Sequence, residues 1–529
     1  MSRTEETLPT QPAGPAQPAA VPTGGPADST DLARHTDGRT PMHPRVRELT
    51  QRPGVEAAFA GDLALATRID RAHVVMLVER RVLPSRQGAA LLGAIDGLRE
   101  RDFADLRGRP APRGWYLMYE RYLSDQLGPD VGGSLQLGRS RNDLSATLHQ
   151  LRLRRPFLGL LWEGVRLLGT LVRGARRHER VVMPAFTHHQ PAVPVTYGHY
   201  LNGVALSLSG SLETLAEVTR DLDRCPLGAG GVGGTSVPID NARTAELLGF
   251  AAPFGNSVTA VASRDAALRL CAAATVIGVL VSRVAGDLLQ WTSAERPLLR
   301  VPDELTGGSS MMPQKRNVFV LEHAAGKAAA PLGAFATAAA AMHKAPFSNS
   351  IAVHTEAVRP VEDAMEQVTR ALELLRLVLQ FARPDAEAMT ARAESGFTSA
   401  TEAANRLALD AGVGFRAAHT ALAGAVRSAS ETGTGLAEAV ARLPEAAGAH
   451  RLVVSPEDVA AAAEYGGGPG VESLRGCLAA NRRQLGALQG LLRSLRERWY
   501  GCTPALDEAV AAIRRGTGTA GPGDTRRTR

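Results

Sequence analysis

The sequence predicts an all-α protein, a central bundle of long helices flanked by smaller helical N- and C-terminal domains. Apolar residues recur three and four apart over long stretches, and strand-like alternation is scarce. Ala, Leu and Val fill three long segments, 258–295, 318–341 and 361–383, with few breakers. At 529 residues the chain is long enough to bury a large core.

Residues 1–44 are rich in Pro, Gly, Ala and Thr and lack apolar periodicity, which predicts a disordered tail. No apolar signal-peptide core follows the N-terminal methionine. A helical domain is expected over 45–138, with its clearest periodicity between Leu63 and Leu77. The bundle is assigned to 139–384. It opens on a helix from Ser140 to about Ala175, because Ser140 followed three residues later by Asp143 is a helix-start signature. Pro184, Pro191 and Pro194 then bound a loop containing Thr187-His188-His189-Gln190. A C-terminal helical domain is expected over 385–515, and 516–529 repeats the composition of the first tail.

The net charge of +7 comes from dispersed arginine, and aromatics make up 4% of the chain, a poor surface for stacking on bases. Nucleic acid is therefore not an expected partner. Cys225, Cys271, Cys477 and Cys502 have no paired spacing and read as reduced thiols of a cytoplasmic protein. The most apolar stretch, 271–282, is shorter than the roughly 18 residues a membrane span requires. A buried helix is expected there, and no membrane partner.

The chemistry concentrates in Gly308-Ser309-Ser310-Met311-Met312-Pro313-Gln314-Lys315-Arg316-Asn317. Small residues let backbone N–H groups approach an anion, Lys315 adds a compact charge and Asn317 a neutral donor. Lysine occurs only at 315, 327 and 344, in a chain with 60 Lys and Arg. A chain that writes Arg almost everywhere writes Lys here, and the two cations are not interchangeable. The adjacent His188 and His189 lack the further ligands that a metal site needs, so no metal is expected. Gly228-Ala-Gly230-Gly-Val-Gly233 matches a dinucleotide fingerprint in letters only, because Arg224-Cys225-Pro226 precedes it instead of an apolar strand. Together the three loops supply a hydroxyl, an imidazole, a Lys/Asn anion clamp and donors for carboxylates. A β-elimination from an amino-dicarboxylate needs those groups.

In this order on a helical chain, Gly138-Arg-Ser-Arg-Asn-Asp143, Thr187-His-His-Gln-Pro-Ala192 and Gly308 to Asn317 resemble the fumarase/aspartase superfamily and, within it, the argininosuccinate lyases. Weaker likenesses lie at Leu227 to Asp240, Asn256-Ser257, Ser263-Arg-Asp265, Trp291 to Glu295 and Gly414 to His419. The resemblance implies a homotetramer whose active sites are each assembled from loops of three subunits, with no cofactor. It implies that Ser309 takes the place of the catalytic base, and that Lys315 and Asn317 hold the carboxylate and its enediolate. His188 looks like the general acid, and Glu322 like the carboxylate paired with it. Ser140, Arg141, Asn142, Thr187, Gln190 and Arg264 would contact the dicarboxylate substrate. The implied activity is cleavage of argininosuccinate to arginine and fumarate, as in arginine biosynthesis.

The chain also departs from this pattern. Gln136 stands for a histidine, Asp70 for a serine, and Val318 for a proline. An acid at Asp70 is expected to repel part of a dianionic substrate or to favour a cationic one. After Pro346 the chain reads Phe347-Ser-Asn-Ser-Ile-Ala-Val-His354-Thr-Glu356-Ala-Val-Arg359, where the family has a Tyr/Gln/Lys-bearing run that contacts the arginine end. Three alternatives stay open: a paralogue acting on another N-substituted aspartate in secondary metabolism, the same chemistry run in the synthetic direction to add an amine to fumarate, and a catalytically silent scaffold on the same fold.

Overall fold

The computed structural model describes residues 42–444, 446 and 454–516. Residues 1–41 and 517–529 of the expected tails lie outside them. The described chain is built from helices. In the first region, α1 (Leu63–Glu79), α2 (Ser85–Glu100) and α3 (Trp115–Leu127) pack around Ile69, Leu77, Leu91, Leu92, Tyr119 and Leu123, all buried.

The bundle begins with α4 (Arg141–Arg177), a helix of 37 residues that runs through Pro156. At 1.5 Å per residue it is about 55 Å long, and it sets the spacing of everything attached to it. At its far end the chain turns through a hairpin, β1 (Val182–Thr187) and β2 (Gln190–Thr196), and returns as α5 (Tyr197–Glu217). The ascending α6 (Asp265–Trp291) follows. The chain then descends through α7 (Phe319–Lys327) and α8 (Ala330–Met342) and ascends again through α9 (Val361–Phe381). Ion pairs fix the alignment: Glu362 meets Arg152 at 2.7 Å near the start of α4, and Arg376 meets Glu163 halfway along it. Helices α4 and α9 therefore run parallel. Gly278 of α6 lies against the Ala328 carbonyl, where a Cβ would come within 2.2 Å, so glycine is required for α6 to touch the α7–α8 junction.

Several elements differ from the sequence expectation. The proline-bounded loop is the β1–β2 hairpin, because Pro184, Pro191 and Pro194 occupy extended positions of a two-stranded ladder, where a missing N–H is tolerated. The helix expected over 258–295 is interrupted at Ser263 and Arg264, whose backbone is not helical. Helix α6 has the length and composition to cross a membrane, unlike the shorter stretch read from the sequence. Here thirteen of its residues, from Ala266 to Trp291, are buried within the bundle. Two final helices pack away from the region that precedes them. Val471–Gly501 lies along α4 and α5 through a buried Asn481–Asn202 side-chain hydrogen bond of 2.8 Å, and Thr503–Arg514 puts Leu506, Val510 and Ile513 into the first core. Between 397 and 443 a smaller cluster forms around Leu407, Leu422 and Val440.

Candidate active site

Ser140 caps α4 as its spacing predicts. Its Oγ accepts the Asn142 N–H at 3.3 Å, and its own N–H donates to Asp143 Oδ1 at 2.9 Å, a reciprocal capping box. The second carboxylate oxygen of Asp143 accepts the N–H groups of Gly228 and Gly230 at 2.8 and 3.0 Å. The glycine-rich loop therefore gives two of its amides to a buried carboxylate of its own chain. Positive φ at Gly228 (93°) and Gly230 (63°) turns those amides inward.

Beneath this cap lies a buried charged platform. Arg139 meets Asp70 at 2.6 Å with both side chains fully buried, and also donates to the Tyr116 hydroxyl at 2.7 Å. Gln136 donates to the same hydroxyl at 3.2 Å. The neighbouring Asp70 carboxylate holds the Arg139 guanidinium firmly charged. Burial and Arg139 keep His73 neutral, so its Nε2–H donates to the Leu137 carbonyl at 2.8 Å. This corrects the expectation for Asp70, which faces inward to Arg139 instead of toward a substrate. A charge pair this deeply buried fails badly when one partner is removed. Asp70→Ala is expected to cost about 3–5 kcal/mol in urea unfolding; a midpoint equal to wild type would show that the platform is not what holds the cap.

The tip of the hairpin is His188-His189, both with positive φ (51° and 61°), between paired Thr187 and Gln190. This is a two-residue primed turn, a conformation that costs roughly 1 kcal/mol or more for each non-glycine residue. Arg296 clamps it. One amino group donates to the His189 carbonyl at 2.8 Å, the other to Gln290 Oε1 at 3.0 Å, and the guanidinium lies over the Phe186 ring. His189 Nδ1 also meets Gln290 Oε1 at 3.2 Å. The strained tip thus commits His189 to the scaffold and leaves Thr187, His188 and Gln190 exposed at the surface.

The third loop is an excursion of residues 309–315 closed by a short ladder, Gly307 opposite Asn317 and Gly308 opposite Arg316. Phe319 packs against Gly307 so closely that a Cβ there would fall 2.9 Å from its ring. Arg316 pairs with Asp303 at the base of the loop. Ser309 is half-buried, and its Oγ accepts backbone N–H groups from Met312 at 3.0 Å and Met311 at 3.3 Å. Lys315 and Glu322 are exposed, and Asn317 is half-buried.

Arg264 sits at the break before α6, 4% exposed. Burial pushes its pKa down to about 10. The segment after Pro346 folds back onto the α4 cap, where Asn349 Nδ2 donates to Asn142 Oδ1 at 2.9 Å. His354 accompanies it, with Nδ1 2.6 Å from the Ser350 carbonyl, while Phe347 and Ile351 remain exposed.

The candidate residues therefore fall into two groups at opposite ends of the bundle. Ser140, Arg141, Asn142 and Arg264 lie at the start of α4 and α6. The hairpin tip lies beside Gln290, 25 residues and about 38 Å further along α6. Ser309, Lys315 and Asn317 precede α7, which descends from that same end toward Gly278. Among the described residues, no hydrogen bond or ion pair joins His188 to Ser309, Lys315 or Glu322. Arg296, Gln290, Asp143 and Asn349 were not singled out as site residues from the sequence; the partners that give them their roles, Gly228, His189 and Asn142, lie 85 to 207 residues away.

A family described as lyase matches residues 112–333. The chain is a carbon–nitrogen lyase with the all-α fold of the fumarase/aspartase superfamily. It is 36% identical over 367 residues to argininosuccinate lyase of Methanoculleus marisnigri, covering 68% of this chain and 73% of that one. It is 31% identical over 472 residues to argininosuccinate lyase 2 of Agrobacterium fabrum, covering 86% and 93%. The chain belongs to the argininosuccinate lyase family. Among solved structures, EDDS lyase in complex with formate superimposes with a TM-score of 0.78 at 26% identity, over 90% of this chain and 97% of that one. Class II fumarase from Schistosoma mansoni shares the fold, with a TM-score of 0.62 at 16% identity over 75% of this chain and 90% of that one.

Proposed function

We propose that the chain eliminates fumarate from an N-substituted aspartate, releasing an amine, at active sites shared between copies in a cytoplasmic homotetramer. The observation that carries this reading is the Ser309 hydroxyl, whose oxygen accepts two backbone N–H groups in a loop that also bears Lys315. Serine is a poor base in water. Donors aimed at its oxygen favour the alkoxide, and the ammonium adds positive potential. Ser309 then removes the proton next to a carboxylate, and Lys315 and Asn317 hold the enediolate that forms. The carbon–nitrogen bond breaks, and His188, supported by Glu322, protonates the departing nitrogen. Ser140, Arg141, Asn142, Thr187, Gln190 and Arg264 bind the dicarboxylate.

The separation of the two groups supports assembly: loops about 38 Å apart on one chain meet only if another copy supplies one of them. The outer face of the bundle supports it too. Val276 and Val279 on α6, Leu206 on α5 and Leu332 on α8 are each more than half exposed. Apolar side chains at helical spacing on a long helix are the surface that a second helix covers.

Argininosuccinate is the first substrate to test. A second reading, another N-substituted aspartate, is favoured by the segment after Pro346, where the Asn349 amide nitrogen is engaged by Asn142 and the one acid, Glu356, pairs with Arg359 at 3.0 Å. No free carboxylate in it awaits a guanidinium. The likeness to EDDS lyase points the same way. The test is ultraviolet detection of fumarate from argininosuccinate and from a panel of other N-substituted aspartates. Turnover of argininosuccinate would place the enzyme in arginine biosynthesis. Activity only elsewhere in the panel would make it a paralogue with its own amine, and silence throughout would make it a scaffold. Lys315→Arg is expected to lower turnover roughly tenfold or more, because a planar guanidinium cannot replace a compact ammonium. Wild-type kcat in that variant would remove the ammonium from the mechanism.

A further inference from the structure

Beside Arg264 the bundle contains a recess of about 90 Å³, lined among others by His149, Gln150, Phe254, Thr259 and Arg264. Its polar groups are left incomplete. Arg264 Nη1 donates to the carbonyls of Val261 at 2.9 Å and Ser263 at 2.7 Å, while Nε and Nη2 are buried without an acceptor. Those two nitrogens form the edge of a guanidinium that matches a carboxylate. Among the described residues no ion pair reaches Arg264: of the acids lining the recess, Asp221 is held by Arg269 at 2.8 Å, and Asp265 faces solvent. His149, 7% exposed, has Nε2 buried and unpartnered; burial and Arg264 keep the ring neutral, so it can donate one N–H. Gln150, 8% exposed, donates through Nε2 to the Asp221 carbonyl at 3.2 Å, which orients the amide and leaves Oε1 buried without a donor.

A buried cation without a counter-charge and two further unmet polar groups around one space are costly unless something fills it. We propose that the Arg264–His149–Gln150 recess is a binding site for a small carboxylate that carries a hydrogen-bond donor on the adjacent carbon. The Arg264 edge and His149 Nε2–H take the carboxylate, and Gln150 Oε1 accepts the adjacent hydroxyl or ammonium. The space holds about three water volumes, enough for a two-carbon hydroxy- or amino-acid head.

The probe is glycolate, with acetate as the analogue lacking the donor, in buffer at constant ionic strength with a bulky counter-anion. Glycolate is expected to raise the thermal midpoint of the wild type saturably, by about 2–3 °C at a hundredfold excess over its dissociation constant. Acetate should bind several-fold more weakly. His149→Leu and Arg264→Lys, the second keeping the charge but losing the two-nitrogen edge, should abolish most of the shift; Gln150→Leu should remove only the preference for glycolate. Lys315→Ala, in the catalytic loop, should leave it intact. No shift in the wild type overturns the proposal, and so does a shift lost in Lys315→Ala but kept in Arg264→Lys. Steady-state kinetics then separate two sources of the carboxylate. If it is the substrate's own, which rests on the elimination reading, glycolate raises KM at constant kcat and His149→Leu weakens that competition. A free effector shifts the midpoint without competing. The thermal readout requires no turnover, so it stands or falls independently of fumarate release.

Discussion

Ser309→Ala is expected to reduce fumarate release by roughly 10³-fold or more while leaving the fold intact. The change removes one oxygen from a half-buried position on a surface loop. The two N–H groups it accepted, those of Met311 and Met312, lie beside exposed or half-exposed residues where water can replace it. The ladder of Gly307 and Gly308 against Asn317 and Arg316, which shapes the loop, uses backbone groups and is untouched. Stability should therefore move by less than about 1 kcal/mol, the ordinary net value of a hydrogen bond near solvent. The reaction instead loses the only proposed group that can take the proton next to the carboxylate. Lys315 and Asn317 still bind the dicarboxylate, so KM should stay within a few-fold of wild type while kcat falls. Fumarate absorbance with far-ultraviolet circular dichroism on the same sample checks both halves. A rate within tenfold of wild type would put the base elsewhere and end the serine mechanism.

What was legible in the sequence is what depends on near neighbours. The Ser140–Asp143 cap, the apolar periodicity of α4, α6 and α9, and the small-residue loop before Lys315 each express themselves within ten or so residues. What was not legible depends on distant partners. Asp70 could be recognised as an acid at an unusual place, but nothing nearby indicates that Arg139 waits for it in the interior. The same holds for Arg296, whose task of locking the hairpin tip needs His189, 107 residues earlier. The hairpin itself was hidden because three prolines suppress the alternation that announces a strand, while β1–β2 pairing forgives them. The α6 break at Arg264 was hidden because apolar spacing continues across it. These long-range pairs place the motifs: the platform aims the cap, and the clamp presents His188.

The second large effect concerns assembly. Two variants, each inactive alone, are expected to restore activity when mixed, provided that one carries Ser309→Ala and the other Asn142→Ala. The reason is the length of the bundle. Asn142 begins α4, and Ser309 precedes α7 at the opposite end, so one chain cannot bring both to the same substrate. If each site takes the α4 cap from one copy and the serine loop from another, random reassembly of an equal mixture leaves about one site in four with both residues intact. Co-refolded protein should then regain up to about a quarter of wild-type turnover, although each parent stays near zero. A protein whose sites lie within single chains would regain nothing, because every chain in the mixture carries one lesion. Sedimentation of the same samples supplies the control, since recovered activity must travel with the assembled species. Activity that stays at the parental level in a mixture shown to be fully exchanged would end the shared-site reading and require the two ends of the bundle to serve separate purposes.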